Sequence, residues 1–401
     1  MHKPHSANRQ SHTSSPVAAP QLPPPILVTE ATQLQQLLRE LRRQPVVAVD
    51  TESDSLFAYY YKVCLIQLSV PEADYLVDPL ALQDVTPLGS LFANPTVQKV
   101  FHAADSDIVA FKRDYGFTFA NIFDTLWSAR ILGWANRNLA AILKERFGIR
   151  LDKRSQRTNW GRRPLSPEQL AYARLDSHYL LPLREMQIAE LTARARMEEA
   201  AEAFGRLPGI EWEEKPFDPD GFWRLNGARE LSPRALAVLR ELYLWREERA
   251  RRLDRPLFKV VGDRTLLQLA EERPGDPQAL RQIPGMSRNQ VKWHGRGILT
   301  AIAQGQRASV PQPQVRRRNN RAKYLDKAAL ACYEALRAWR NTRAAERGVD
   351  PDVVLSNAEL RSIAQRAPKT LEELPEIEAL GPWRRETYGQ ELLSVLASAT
   401  P

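Results

Sequence analysis

The chain has 401 residues, 43% of them hydrophobic and 26% charged, so it is long enough for two or three globular domains. Lysine and arginine total 57 against 48 acidic residues, and the net charge of +9 favours nucleic acid, or secondarily an acidic membrane surface, as partner. Two distant cysteines, Cys64 and Cys332, exclude a disulfide framework, and no apolar run approaches the roughly 20 residues of a membrane span.

Residues 1–25 are predicted to form a disordered, weakly basic tail that is rich in serine and proline. The tail lacks the apolar stretch of a secretory signal, and the low cysteine content is typical of a reducing compartment, so a cytoplasmic protein is predicted. An organellar transit peptide is the alternative, because the tail contains no acidic residue. Its prolines, however, oppose the amphipathic helix that such a peptide needs.

From Ile26 to about residue 205, strand-like runs alternate with helical patterns. The predicted strands are ILVT, VVAVD, VCLIQLSV, YLV and KVFH, and the first helical patterns are ATQLQQLLRELRR and DSDIVAFKRDYG. After FDTLWSARILGW the strand signals stop, and the chain from Asn138 to Phe204 is predicted to be helical. This order predicts an α/β domain over residues 26–205, in which a mixed sheet is flanked by helices.

The remainder of the chain is predicted to be helical and contains an internal repeat. Residues 206–230, rich in proline, glycine and acidic residues, form the predicted linker. An offset of 94 residues aligns Trp245 with Trp339, and the same offset aligns Arg246 with Arg340, Leu266 with Leu360, Pro274 with Pro368, Ile283 with Ile377 and Gly295 with Gly389. Two small all-helical bundles are therefore predicted, at residues 231–305 and 323–401.

A second linker, residues 306–322, is rich in proline and glutamine and ends in a basic cluster. Its arginines are predicted to contact nucleic-acid phosphates: Arg316, Arg317 and Arg318. The second helical copy is the more divergent of the two, because it has Asp350-Pro351-Asp352 where the first has Arg255-Pro256-Leu257. Both a nucleic-acid role and a packing role are open for this copy.

Two acidic residues lie side by side where the strand VVAVD ends. Asp50 and Glu52 are two positions apart, so on a strand both side chains project from the same face. Neighbouring carboxylates repel each other unless solvent or a cation screens them, and their hard oxygen atoms suit Mg²⁺ or Mn²⁺. Taken alone, the pair fits polar residues at a strand-to-turn exit equally well.

Further acidic residues lie at the start of one predicted helix and late in another. Asp107 follows the strand KVFH and competes with Asp105, and a plain N-cap is the alternative for either. Tyr172 and Asp176 are four residues apart, which places both on one helical face, although a core tyrosine with an incidental aspartate has the same spacing. Together with the strand pair, these residues predict a site for two divalent ions roughly 4 Å apart, suited to in-line displacement at phosphorus.

Three segments resemble the motifs of the ribonuclease D branch of the DEDD 3′→5′ exonucleases, whose core is ribonuclease-H-like. VAVDTES resembles the first motif, HAADSDI the second and KRSQRTNWGRRPLSPEQLAYARLDSHYLLPL the third. The spacing in the family selects Asp107 over Asp105, and Tyr172 at four residues before Asp176 indicates the tyrosine subclass. The two helical copies resemble HRDC domains, the helical modules shared by RecQ-type helicases and ribonuclease D.

The resemblance implies an exoribonuclease and a set of site residues. Four acidic residues would hold two Mg²⁺ or Mn²⁺ ions: Asp50, Glu52, Asp107 and Asp176. Tyr172 would orient the water that attacks the last phosphodiester bond and releases a nucleoside 5′-monophosphate. Residues expected to contact nucleic acid in or beside the motifs are His102, Lys153, Trp160 and Arg163; for His102 a structural role is the alternative. The expected partner is RNA with a free 3′ end, such as tRNA precursors and other small structured RNAs, with no obligatory protein partner.

Two other functions remain open at this stage. A 3′→5′ DNA exonuclease would use the same site, because nothing in the sequence identifies a group that reads the 2′-hydroxyl. Degradation of matched RNA and DNA oligonucleotides distinguishes these two. The other alternative is a nuclease-dead binding protein that uses the helical copies as a tether, and metal-dependent release of mononucleotides, blocked by EDTA, would exclude it.

Overall fold

The computed structural model describes residues 22–151, 154–312, 325–377 and 380–399. Its N-terminal domain is built on a sheet of six strands: β1 Ile26–Val28, β2 Val46–Ser53, β3 Val63–Val70, β4 Ala73–Val77, β5 Gln98–Phe101 and β6 Ile122–Asp124. The strand order is β1–β4–β3–β2–β5–β6, and β3 runs antiparallel to β2 and β4 while the other neighbouring pairs are parallel. The five predicted strands and the mixed sheet are confirmed, whereas β6 was not predicted.

Helices cover both faces of this sheet. They are α1 Ala31–Leu41, α2 Pro79–Leu82, α3 Gly89–Phe92, α4 Asp105–Tyr115, α5 Thr125–Ile131, α6 Leu139–Phe147, α7 Pro167–His178, α8 Leu180–Ala193 and α9 Met197–Gly205. Alternate residues of β2 enter different cores, because successive strand side chains point to opposite faces. Val47 and Val49 pack with α1 and α4, whereas Ala48 packs with α5 and α8.

The segment between α6 and α7 differs from the helical structure that the sequence predicted throughout residues 138–204. Its described residues form no α-helix and contain only a short 3-10 turn, Ser155–Arg157. Helix α7 then begins at a capping box, in which Ser166 Oγ accepts from the Gln169 N–H at 3.3 Å and the Gln169 side chain accepts from the Ser166 N–H at 3.0 Å. From this start, α7 packs across β2, β3 and β4.

Two helical copies follow. The first contains α10 Pro233–Leu253, α11 Leu257–Val260, α12 Asp263–Glu272, α13 Pro277–Leu280 and α14 Arg288–Arg307; the second contains α15 Lys327–Arg347, α16 Pro351–Val354, α17 Asn357–Arg366 and α18 Pro382–Ala399. The predicted linker 206–230 is partly absorbed into the first copy, because Phe222 and Ala228 are buried in its core. Within the described residues, no helix combines the length and apolar character needed to cross a membrane.

The repeat extends to buried hydrogen bonds. In each copy an arginine of the long first helix holds the carbonyl and the side chain at the start of the third helix. Arg246 donates to the Val261 carbonyl at 2.9 Å and to Asp263 at 2.6 Å, and Arg340 donates to the Leu355 carbonyl and to Asn357, both at 2.9 Å. These partners have the same 94-residue offset as the arginines, so the sequence repeat is also a structural repeat.

The two copies contact the N-terminal domain in different ways. Val353 of the second copy is buried in the core formed with α5, α8 and α9, and surrounding ion pairs join Asp350 to Arg137, Asp352 to Arg130, Arg347 to Glu199 and Arg384 to Glu202. The first copy instead holds the loop after β2: the backbone N–H groups of Tyr59 and Tyr60 donate to Asp254 at 3.0 and 2.9 Å.

Candidate active site

Strand β2 and helix α7 bring three carboxylates together. Asp50 and Glu52 lie on β2, opposite Gln67 and Leu65 of β3, and Asp176 lies in the third turn of α7, which crosses both strands. One carboxylate oxygen from each of the three residues lies within 4.8 Å of the others. This spacing is close enough for all three side chains to bind the same cation.

Asp107 approaches the same strand from the start of α4. Its carboxylate accepts a hydrogen bond from Thr51, the residue between Asp50 and Glu52, and the side chain is buried. Asp105 lies on the exposed side of the same turn. Neither residue is the N-cap. The turn before α4 is held by Asp124, which accepts from the Ala104 N–H at 2.7 Å.

The four carboxylates have raised pKa values. Burial, followed by repulsion from Asp107, Asp176 and Glu52, raises the pKa of Asp50 well above its ordinary value. Burial, together with Asp176 and Asp107, raises the pKa of Glu52 to about 9, and burial raises the pKa of Asp107 and of Asp176 to about 7. Within the described residues, no lysine or arginine forms an ion pair with any of the four.

A buried cluster of carboxylates without a basic partner needs positive charge to become fully ionised. Divalent ions supply this charge, and hard carboxylate oxygens are the ligands that Mg²⁺ and Mn²⁺ prefer. The residues present therefore fit a metal centre, with Asp50, Glu52 and Asp176 in one group and Asp107 beside it.

Tyr172 lies one helical turn before Asp176 on the same face of α7. Its hydroxyl lies close enough to the Asp176 carboxylate to interact with it electrostatically, and its ring packs on Trp160 with centroids 6.3 Å apart. Burial, together with the negative charges of Asp176 and Glu52, raises the pKa of the Tyr172 phenol. The phenol consequently stays protonated at neutral pH and can donate a hydrogen bond inside the cleft.

Three of the carboxylates, those of Asp50, Glu52 and Asp176, line a cleft of about 260 Å³ together with Tyr172. The cleft also contains residues not predicted from the sequence, among them Asn138 and Gln156. Gln156 lies within the segment that resembles the third motif, and Thr51 lies within the first, so motif position was the available signal for both. His102 lines the cleft as well, and its Nδ1 lies 2.9 Å from the Thr125 hydroxyl. Burial lowers the pKa of His102 to about 4, so the ring is neutral at neutral pH.

Two residues expected to contact nucleic acid make extensive contacts within the protein. Trp160 is only 1% exposed and packs behind Tyr172, so its indole cannot stack on a base. Among its hydrogen bonds, Arg163 donates two to Asp78, at 2.6 and 2.7 Å, and one to the Cys64 carbonyl at 2.7 Å. It therefore ties the segment before α7 to the sheet. Lys153 and the arginines Arg316, Arg317 and Arg318 lie outside the described residues.

Comparison with known proteins agrees with this geometry. The sequence matches the family model of 3′-5′ exonucleases over residues 25–188 and that of HRDC domains over residues 235–302 and 329–396. Ribonuclease D of Gluconacetobacter diazotrophicus is 32% identical over 379 residues, covering 93% of both chains. Ribonuclease D of Pseudomonas paraeruginosa is also 32% identical, over 93% of this chain and 97% of its own.

A solved structure shows the same likeness over nearly the full length. The crystal structure of Escherichia coli RNase D, described as an exoribonuclease involved in structured RNA processing, superposes with a TM-score of 0.61 at 25% identity. The match covers 94% of this chain and all of that one. The chain therefore belongs to the ribonuclease D family and is a 3′→5′ exoribonuclease whose catalytic domain is followed by two HRDC domains.

Proposed function

We propose that this protein removes nucleotides one at a time from the 3′ end of RNA as nucleoside 5′-monophosphates, using two divalent ions. The observation that carries the proposal is the convergence of three carboxylates, Asp50, Glu52 and Asp176, in one cleft without a basic partner, with the buried Asp107 held beside them by Thr51. Mg²⁺ or Mn²⁺ ions held by Asp50, Glu52, Asp107 and Asp176 would stabilise negative charge on the attacking and leaving oxygens at phosphorus.

The chain's own groups perform the remaining tasks. Tyr172, protonated and close to Asp176, would orient the attacking water against the terminal phosphodiester. Thr51 donates to Asp107 and so fixes that carboxylate relative to Asp50 and Glu52 on the same strand. His102, held by Thr125 and neutral, lines the cleft where it can contact the terminal nucleotide without adding charge.

We propose tRNA precursors and other small structured RNAs as substrates and the cytoplasm as the site of action. Structured RNA processing is the role described for the Escherichia coli enzyme, which this chain matches over its full length. The described cysteines, Cys64 and Cys332, are both free, which fits a reducing compartment.

The test is degradation of a 5′-labelled single-stranded RNA in the presence of Mg²⁺. Wild-type protein should produce a ladder that shortens from the 3′ end, with mononucleotide products, and EDTA should stop it. Asp50→Asn should abolish hydrolysis, because it removes one charge from the centre of the cluster. Asp105→Asn is the matched control, since Asp105 is an exposed aspartate in the same turn as Asp107.

Retention of more than about a tenth of the wild-type rate by Asp50→Asn would contradict the assignment, because loss of a metal ligand costs well over tenfold. Two further substrates test which nucleic acid the enzyme prefers. A DNA oligonucleotide of the same sequence tests the preference for the 2′-hydroxyl, and a tRNA precursor with a 3′ extension should be trimmed to a discrete end.

A further inference from the structure

The most exposed large apolar side chain in the described part of the protein lies on the first HRDC domain, far along the chain from the catalytic motifs. Trp293, on α14, is 67% exposed. It separates two hollows of about 530 and 460 Å³, and His294 lines both of them. We call these two hollows, with the indole between them, the Trp293 groove.

Basic residues surround this indole. Those that line the groove are Arg249, Arg252, Arg255, Lys259 and Arg296, against the two acids Glu241 and Glu248. Arg252 is paired with Glu248, whereas the exposed side chains of Arg255 and Arg296 form no ion pair within the described residues. Burial and the neighbouring Arg255 both lower the pKa of Lys259, as expected where like charges are crowded together.

An exposed ring among cations is the arrangement that binds single-stranded nucleic acid. Any base can stack on an indole, and basic side chains at either side can hold the adjoining phosphates. The groove also borders the catalytic domain: the Lys259 ammonium lies 3.5 Å from the centroid of the Phe57 ring, in the loop that follows β2. That strand carries Asp50 and Glu52.

The second HRDC domain provides an internal comparison, because the 94-residue offset identifies equivalent positions. Trp293 corresponds to Thr387, Arg296 to Gln390 and Gly297 to Glu391. The Glu391 carboxylate accepts from the Trp339 indole N–H at 2.7 Å and from Arg343 at 2.8 Å, so it neutralises the arginine equivalent to Arg249. In the first domain a Cβ atom at Gly297 would lie 2.3 Å from the Trp245 indole nitrogen, so no side chain can occupy that place.

We propose that the first HRDC domain binds single-stranded RNA in the Trp293 groove, with a base stacked on the indole and phosphates on Arg255 and Arg296. In the second HRDC domain Thr387 replaces the indole and Glu391 replaces Gly297, and this domain packs on the catalytic domain. The inference deepens the proposed function, since it assigns a site for the RNA that precedes the 3′ nucleotide being removed.

Binding of a labelled single-stranded RNA to the full-length protein, measured by fluorescence anisotropy in EDTA, tests the inference. Trp293→Ala should weaken binding about tenfold, the effect expected for loss of one stacked base, whereas Trp293→Phe should retain most of the affinity. Thr387→Ala, at the equivalent position of the second domain, is the matched control and should leave binding unchanged. Both positions are partly or fully exposed, so the variants should fold.

The charge component is measured separately. Arg255→Ala combined with Arg296→Ala should reduce the slope of log affinity against log salt by about 0.7 for each phosphate that the variant no longer binds. Trp293→Ala, which removes no charge, should leave that slope unchanged. Because EDTA stops hydrolysis, these measurements do not depend on whether the catalytic assignment is correct.

RNA affinity of Trp293→Ala within about twofold of wild type would overturn the inference, as would equal weakening by Thr387→Ala. In either case the groove would be left as a surface for a protein partner. Conversely, a wild-type protein that binds RNA through Trp293 but hydrolyses none would overturn the catalytic proposal and leave the groove assignment standing.

Discussion

At the scale of single residues, Tyr172 has the role that is easiest to separate from folding. Its hydroxyl contacts Asp176, while its ring packs on Trp160 in the core. Removing the oxygen alone keeps the ring and its packing. The substitution Tyr172→Phe therefore isolates what the hydroxyl does in the cleft.

Tyr172→Phe should lower the rate of RNA hydrolysis by about 10²-fold, the contribution typical of a group that positions or polarises the attacking water. The rate should be measured under single-turnover conditions with Mg²⁺. Tyr179→Phe is the matched control, because Tyr179 is a similarly buried tyrosine of the adjoining turn that does not line the cleft. A rate equal to that of wild type would return Tyr172 to a purely structural role.

Prediction from the sequence was most successful where a site depends on local geometry. The spacing of two residues on a strand placed Asp50 beside Glu52, and one helical turn placed Tyr172 beside Asp176. Burial depends instead on residues distant in the chain. Trp160 and Arg163 both lie in the segment that resembles the third motif. Trp160 is nevertheless buried against β3, and Arg163 is hydrogen-bonded to Asp78.

At the scale of secondary-structure elements, β2, α4 and α7 converge although the carboxylates that they carry repel each other. Helix α7 is held in place on its other side by a buried network. Asp74 of β4 accepts from Arg174 at 2.7 Å, from His178 at 2.9 Å and from Ser69 at 2.7 Å. Although burial opposes it, these hydrogen bonds keep the pKa of Asp74 below its ordinary value, so this carboxylate is ionised at neutral pH.

The repulsion predicts a specific dependence of stability on pH when divalent ions are absent. The folded pKa values of the cluster, about 9 for Glu52 and about 7 for Asp107 and Asp176, exceed the unfolded values near 4. Between these limits the folded state binds more protons than the unfolded state. The free energy of unfolding therefore falls as the pH rises through this window.

Asp50→Asn should relieve part of this repulsion. In EDTA the variant should unfold at a higher temperature than wild type near pH 9, by about 2–4 °C for each kcal/mol relieved, and the gain should vanish toward pH 4. Saturating Mg²⁺ should reverse the order, because only the intact site binds the ions well. Thermal scans across pH, with Asp105→Asn as control, measure this. Equal melting temperatures at every pH would show that the carboxylates do not repel.

Element-level prediction was limited by length and by distant contacts. Strand β6 has three residues, too few for an alternating pattern, and it forms because β5 offers a parallel edge. The segment after α6 has helical spacing in the sequence. In the structure Arg163 of this segment is hydrogen-bonded to Asp78 and to the Cys64 carbonyl, so the backbone runs along the sheet and does not form a helix.

At the scale of the whole molecule, the two HRDC domains have diverged for different surroundings. The sequence showed the divergence at Asp350-Pro351-Asp352 but not its cause. Asp350 and Asp352 pair with Arg137 and Arg130 of the catalytic domain, whereas Arg255 of the first copy lines the Trp293 groove. A single sequence does not show which residues pair when they lie more than 200 positions apart, as Arg137 and Asp350 do. For this reason the packing role of the second copy remained one of two alternatives in the sequence.

The ion pair between Glu199 of α9 and Arg347 of α15 is one of the buried contacts that join the second HRDC domain to the catalytic domain. The Glu199 side chain is 1% exposed, and Arg347 also donates to the Tyr388 hydroxyl. Burial raises the pKa of Glu199, although the attraction of Arg347 opposes this shift. A largely buried ion pair is costly to break on one side only, since the remaining charge stays buried.

Glu199→Ala should therefore weaken docking of the second HRDC domain by about 3–5 kcal/mol, because Arg347 loses its partner while remaining largely buried. Calorimetry should resolve a separate, earlier unfolding transition for that domain, and limited proteolysis should release it faster. Glu376→Ala is the matched control, since Glu376 forms an exposed pair with Arg366 inside the same domain, and such pairs contribute less than about 1 kcal/mol. A single transition unchanged from wild type would mean that Val353 and the remaining ion pairs hold the second domain without Glu199.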